Sequence, residues 1–183
     1  FIGINYDLNN QIQRIEIVSQ LLNDQDFDLV IMAAGYLGAK PIESSARQNR
    51  EIINVNFTHS AEILELIAHR LSLQKHGKIL ILSSVASLRP RKGNYIYGAS
   101  KAGLDFMARG LQLDLEGTGV EIYIARPGFV HSRMTRGMTP APFAITAGKA
   151  GEICAKGITK SKKVFYVPGI LKYLMLIVRC LPI

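Results

Sequence analysis

A doubly wound α/β fold around a parallel sheet is what this chain predicts, from three observations. Short apolar runs recur along the chain, and they are continuous rather than alternating, as in strands buried on both faces. Between them lie longer stretches whose apolar residues return every three or four positions, the period of a helix with one buried face. The two kinds of segment alternate from one end to the other, which favours a parallel sheet with helical crossovers. No repeat, linker or low-complexity stretch interrupts the alternation, so 1–183 reads as a single domain.

The elements come in this order. Residues 1–5 are a short apolar stretch, read as the end of a strand. Residues 9–23 carry Ile12, Ile15, Val18 and Leu22, a helical stripe. Residues 29–33 are a continuous β-type run of the kind found in buried parallel strands. Residues 47–74 form one long helical pattern that carries Asn56, and 78–82 form another buried strand. Residues 95–116 are helical and stop near Gly117 and Gly119, since glycine readily takes the left-handed conformation that ends a helix. Residues 120–125 read as a strand, 146–159 as a helix and 163–167 as a last short strand. Residues 168–183 are an apolar tail with two cations, Lys172 and Arg179.

Composition narrows the function classes. Of 183 residues, 48% are hydrophobic and 20% charged, enough apolar material for a real core. Cys154 and Cys180 form no disulfide or metal pattern and read as reduced and structural, in a cytoplasmic setting. The four histidines share no ligand spacing, so no metal is expected. No signal-peptide pattern opens the chain, and no apolar run reaches the ~18 residues of a spanning helix. The net charge of +8 raises the question of nucleic acid, but no recognition motif accompanies the scattered cations, and no nucleic-acid partner is expected. A phosphate-bearing substrate or an anionic membrane surface accounts for the charge as well.

The chemistry sits in Tyr97-Gly98-Ala99-Ser100-Lys101, with Ser84 thirteen residues before Tyr97. Positions i and i+4 of a helix share a face, so the Tyr97 phenol lies beside the Lys101 ammonium. A neighbouring cation favours phenolate, and the pair could give a proton to a carbonyl or take one from an alcohol. A bare YxxxK is most often a surface tyrosine and a solvated lysine. The surroundings argue otherwise: residues 78–84 lead a strand into Ser83-Ser84, Asn54-Val55-Asn56 precedes it, and Arg126-Pro127-Gly128-Phe129-Val130 with Ser132 comes after the next strand.

In that order and spacing, the four motifs resemble the short-chain dehydrogenase/reductase family across essentially the whole chain. The resemblance implies a Rossmann-type sheet and hydride transfer between NAD or NADP and a carbonyl. It implies Tyr97 as proton donor, Lys101 as the group that lowers the Tyr97 pKa and holds the nicotinamide ribose, and Ser84 as the group that polarises the carbonyl. Asn56 would hold a water that relays protons from Lys101. Asp7 would contact adenine. Ala33, Ala34 and Gly35 stand at the family's NNAG, with Met32 and Ala33 replacing its asparagines. Pro127, Gly128 and Val130 would frame the nicotinamide, and Ser132 stands where the family prefers Thr. The family's glycine-rich TGxxxGxG turn occurs nowhere in these residues. The chain is therefore expected to be incomplete at its N-terminal side, without the first two strands and with exposed sheet edges.

Substrate readings are coarser. Arg133 and Arg136 fall where the family carries its substrate lid and could grip a phosphate. The tail 168–183 is too short to span a bilayer comfortably; it could lie at a membrane interface or bury against a second subunit. Together these blocks resemble a subgroup that reduces a lipid-linked phosphosugar ketone at C2 with NADH. A soluble small-ketone, sugar or 3-oxoacyl reductase shares most of the motifs, and an inactive cofactor-binding regulator or a membrane-associated interaction protein are the readings from other classes. The family implies a homodimer or homotetramer, and the tail would place a cytoplasmic protein at the inner membrane face. Asp105 and Asp114 are expected on solvated helix faces, and His131 as a bystander.

Overall fold

A computed structural model describes residues 10–38 and 43–181. The strand expected at 1–5 lies outside the described residues, as does Asp7. A four-stranded, wholly parallel sheet runs in the order β1 (Leu29–Met32), β2 (Gly77–Leu82), β3 (Val120–Pro127) and β6 (Val164–Val167). A minor parallel pair, β4 (Val130–His131) and β5 (Ile145–Thr146), stands apart from it. Helices α1 (Gln11–Asp24), α3 (His59–Gln74) and α4 (Tyr95–Asp114) cover one face. There they enclose Ile79, Ile81, Ile122 and Ile124. Helix α5 (Ala147–Thr159) covers the other face over Leu80, Tyr123, Phe165 and Val167. Alternate residues of β2 and β3 thus feed two cores, which is why both strands read as unbroken apolar runs.

Three expectations are corrected. Residues 47–74 are helical throughout, as the pattern expects, but they are not one uniform α-helix. The capping box at Ser45 and Gln48 starts α2 (Ala46–Ile53), and a π-helical turn, Asn54–Thr58, separates it from α3. The amide of His59 reaches back to the Asn54 carbonyl, and the Ser60 hydroxyl takes the Val55 carbonyl at 2.8 Å. One extra residue in a helical turn rotates the rest of the helix about its axis, and such turns gather at functional sites. On α1 the inward line is Arg14, Val18 and Leu22, while Ile12 is 70% exposed. Spacing by fours serves the inward face as well as the expected stripe, and Arg14 is drawn in by its ion pair with Glu62 of α3. Strand β1 is not buried on both faces: Ile31 is 56% exposed. Among the described residues it pairs only with β2, while α5 lies over β3 and β6.

The tail is not a loose appendage. Residues Leu171–Cys180 form α6, whose Leu171 and Met175 are buried against Val85. Burying two such side chains contributes roughly 1.5–3 kcal/mol each.

At the foot of the sheet, α3 ends on Lys75 at φ 63° and the turn before β3 passes through Gly119 at φ 86°. A Cβ on Gly119 would stand 2.0 Å from the Lys75 carbonyl oxygen. Gly119→Ala therefore meets both a backbone clash and an unfavourable φ. It is expected to cost about 1–3 kcal/mol, read as a lower urea midpoint with unchanged slope.

Candidate active site

Because the sheet is parallel, all four strands point their carboxyl ends to one edge, where ligands of such sheets bind. From β1 the chain leaves through Ala33, Ala34 and Gly35, from β2 through Ser83 and Ser84, and from β3 through Pro127 and Gly128. Helix α4 crosses this edge. Gly98 lets it approach closely, since a Cβ there would stand 2.9 Å from the Ala86 carbonyl oxygen.

Lys101 is 3% exposed, and its Nζ donates to the Ala34 carbonyl at 3.2 Å and the Leu82 carbonyl at 3.0 Å. The ammonium thus ties two strand ends together and keeps its third hydrogen available. Burial alone lowers its pKa to about 8. Tyr97 departs from expectation: burial raises its phenol above the ordinary value, and the Ser84 hydroxyl only partly offsets this. Sharing a helix face does not bring the cation's charge to dominate, because the ammonium turns to the strand carbonyls. The result is a phenol that stays protonated beside a serine within hydrogen-bond reach.

The two serines separate cleanly. Ser83 donates to Asp105 Oδ2 at 2.7 Å. Ser84 accepts the Ala86 amide at 3.1 Å, opening the turn Val85–Leu88, and faces the phenol. Asn56 is wholly buried in the π turn. Its Oδ1 accepts the Tyr36 amide at 2.7 Å, and its Nδ2 donates to the Tyr36 carbonyl at 2.8 Å and to Ser100 Oγ at 3.1 Å. Both amide hydrogens are thereby committed. The side chain fastens the Gly35–Tyr36 loop to α4, and Ser100 completes the tie through the Tyr97 carbonyl at 2.8 Å.

Sequence reasoning misses one ion cluster. Asp105, expected at the surface, is 3% exposed. It receives Arg126 Nη2 at 2.7 Å and Nε at 2.9 Å besides Ser83, with Arg109 Nε at 3.3 Å. Burial raises its pKa, but the bonds from Arg126 and Ser83 outweigh that and hold the carboxyl below its ordinary value. The signal that could have found it is positional: Asp105 is four residues after Lys101, on the same inward face of α4.

These groups open onto one cleft of about 930 Å³. Ala33, Ala34, Gly35, Ser84, Tyr97, Lys101, Pro127, Gly128, Val130 and Ser132 all line it, as does Arg136. Arg133 does not; it borders a smaller neighbouring hollow with Tyr36 and Leu37. Arg91, one of the cations in the basic loop before α4, lines the main cleft. Ser132 exchanges capping bonds with Thr135 and anchors the turn Arg133–Thr135, while Met134 closes over Gly35: a Cβ on that glycine would stand 3.4 Å from Met134 Cε and 3.5 Å from Lys101 Nζ. His131 packs edge-on against Phe129 and takes no part in the cleft.

Known proteins share this sequence pattern and this fold. The model of a family described as short chain dehydrogenase matches residues 1–142. An uncharacterized oxidoreductase of Mycobacterium tuberculosis is 38% identical over 153 residues, 83% of this chain and 61% of that protein. The 3-oxoacyl-[acyl-carrier-protein] reductase MabA of Mycobacterium avium is 30% identical over 124 residues, 68% of this chain and 46% of that one. A short chain dehydrogenase from Burkholderia cenocepacia, solved in complex with NADP, superposes with a TM-score of 0.82 at 19% identity, covering 94% of this chain and 71% of its own. The chain thus spans about three fifths of the length of its M. tuberculosis relative. It belongs to the short-chain dehydrogenase family.

Proposed function

We propose that the protein carrying this chain reduces a ketone to a secondary alcohol with NADH or NADPH. The observation that supports this most is the Tyr97 phenol, kept protonated by burial beside Ser84 in the lining of the cleft. Ser84 holds the carbonyl oxygen, and Tyr97 delivers its proton to that oxygen as the carbon is reduced. When bound, the nicotinamide supplies the hydride to the carbonyl carbon. Lys101 lies one helical turn from the resulting phenolate, and at about 8 its pKa suits proton exchange near neutrality.

The residues present fit the nicotinamide-ribose half of the cofactor. Gly35 offers bare backbone beside Lys101, whose third ammonium hydrogen is free to meet a ribose hydroxyl. Ala33 and Ala34 continue that ledge, and Pro127, Gly128, Val130 and Ser132 form the opposing wall. Asp7 as an adenine contact lies outside the described residues. NADH is the cofactor we favour.

The substrate we propose is a lipid-linked phosphosugar 2-ketone of the decaprenylphosphoryl type, met at the inner membrane face. Arg91 and Arg136 at the cleft suit the phosphate, and Leu37, Val85, Met134 and Met138 suit the apolar remainder. Arg133, turned to the other hollow, is a weaker candidate. Similarity to MabA favours a 3-oxoacyl substrate as the second reading. A homodimer or homotetramer is the proposed assembly.

Full-length protein, titrated with NADH and NADPH and then assayed with lipid-phosphosugar and 3-oxoacyl ketones, tests the reading. Oxidation of bound NADH by the phosphosugar ketone supports it. Cofactor binding without turnover of either ketone would leave a cofactor-binding regulator, and no binding would remove the family role altogether.

The two pKa shifts set a pH dependence. Tyr97, raised above 10, stays a proton donor throughout the working range. Lys101 loses its charge as pH rises through about 8. Reduction is therefore expected to fall on the alkaline side near pH 8, and Lys101→Arg, whose cation does not titrate there, should remove that limb from whatever turnover remains.

A further inference from the structure

The charge of this chain is unevenly placed. After Glu121 it carries ten Lys and Arg but one acidic residue, Glu152. Helix α6 lies in that portion. Its inward residues Leu171 and Met175 are buried on Val85, beside the Ser84 turn. Leu171 also packs on Gly128, where a Cβ would stand 2.5 Å from its Cδ1. Outward it presents Ile170, Tyr173, Leu174, Leu176, Ile177 and Leu181, with Ile177 64% exposed. Exposed Lys172 and Arg179, seven residues apart and so on one side of the helix, border that apolar strip along one edge. The loop that carries Arg89, Arg91 and Lys92 is fastened to the same helix: Arg89 Nη1 donates to the carbonyls of Val178 and, at 2.7 Å, Leu181. Arg91, two residues on, lines the catalytic cleft.

We propose that the outer face of α6 and the Arg89–Lys92 loop form a docking surface for an anionic bilayer, which sets the Arg91 lip of the cleft at the headgroup plane. Ten residues of helix are about 15 Å long, half the hydrocarbon thickness, so α6 lies on a membrane and does not cross it. An apolar face beside a cationic edge is the pattern of an interfacial helix. Charge argues against a second copy as the occupant. A twofold contact through α6 sets like cations near one another, and residues 153–183 hold no carboxylate side chain to offset them. Anionic headgroups supply that complement. The membrane-presented substrate proposed above gives the docking its purpose; the residues of α6 and its loop carry it independently.

Full-length protein is sedimented with vesicles of phosphatidylcholine alone and of phosphatidylcholine mixed equally with phosphatidylglycerol. The expected result is binding to the anionic vesicles, released by salt, and at least tenfold weaker in Leu176→Glu/Ile177→Glu and in Lys172→Glu/Arg179→Glu. Circular dichroism and unchanged NADH binding show that each variant is folded. Failure to bind anionic vesicles overturns the proposal, as does binding that neither variant weakens or that is equal for both vesicles. A wild-type dimer that the first variant turns into a monomer, with no vesicle binding, assigns the face to a second copy instead. Vesicle binding without turnover of any ketone would uphold the surface and sink the proposed activity.

Discussion

Tyr97→Phe is expected to abolish ketone reduction while leaving the protein folded and able to bind its dinucleotide. The substitution removes one hydroxyl and keeps the ring, so the packing of α4 survives. What is lost is the only phenol among the described residues that both lines the cleft and lies within hydrogen-bond reach of Ser84. A positioned general acid contributes typically ~10²–10⁴-fold, and a fall of that size in kcat/KM with an intact nicotinamide fluorescence titration is the expected outcome. Ser84→Ala should lower the rate as well, through loss of the carbonyl's hydrogen bond. Ser83→Ala should act mainly on stability, because Ser83 spends its hydroxyl on Asp105. Undiminished turnover by the Tyr97 variant would end the reading of this cleft as a reductase site.

Much of this site is legible in the chain because its spacing is local. Tyr97 and Lys101 have to share a helix face, and both line the cleft. The strands β2 and β3 are legible because burial on two faces leaves an unbroken apolar run. Periodicity fails where two faces compete: on α1 it favours Ile12, but the pull of Glu62 turns Arg14 inward. It fails again at residues 54–58, since a π turn adds a residue without any compositional mark. Asp105 is a different case. A charged residue on a helix defaults to solvent unless its spacing from Lys101 is weighed, and its partner Arg126 lies 21 residues away on another element. The folded chain shows that the inward face of α4 carries Ser100, Lys101, Leu104, Asp105 and Ala108 in succession.

That buried carboxylate is where the second large effect is expected. Asp105 joins three elements of the site: α4 with Tyr97 and Lys101, the end of β2 through Ser83, and the end of β3 through Arg126. Asp105→Ala leaves the Arg126 guanidinium, itself 8% exposed, with its charge uncompensated. Breaking one side of a buried pair costs about 3–5 kcal/mol, which for a domain of this size lowers Tm by roughly 10 °C or more. Asp105→Leu/Arg126→Met removes both charges and should recover part of that loss, since an apolar pair of similar volume is often as stable. The pH dependence separates the charge from the shape. The folded protein holds the Asp105 carboxyl below its ordinary value, so its stabilisation is fully present above about pH 4 and is lost as pH falls through the lowered value. Thermal melts of wild type and Asp105→Asn should therefore differ most near neutrality and converge in acid. The double variant should melt above Asp105→Ala yet reduce its ketone more slowly than the wild type, because Arg126 no longer holds the β3 end, and with it Pro127 and Gly128, against α4. A double variant with full turnover would confine the Asp105–Arg126 pair to stability and separate it from the alignment of the catalytic groups.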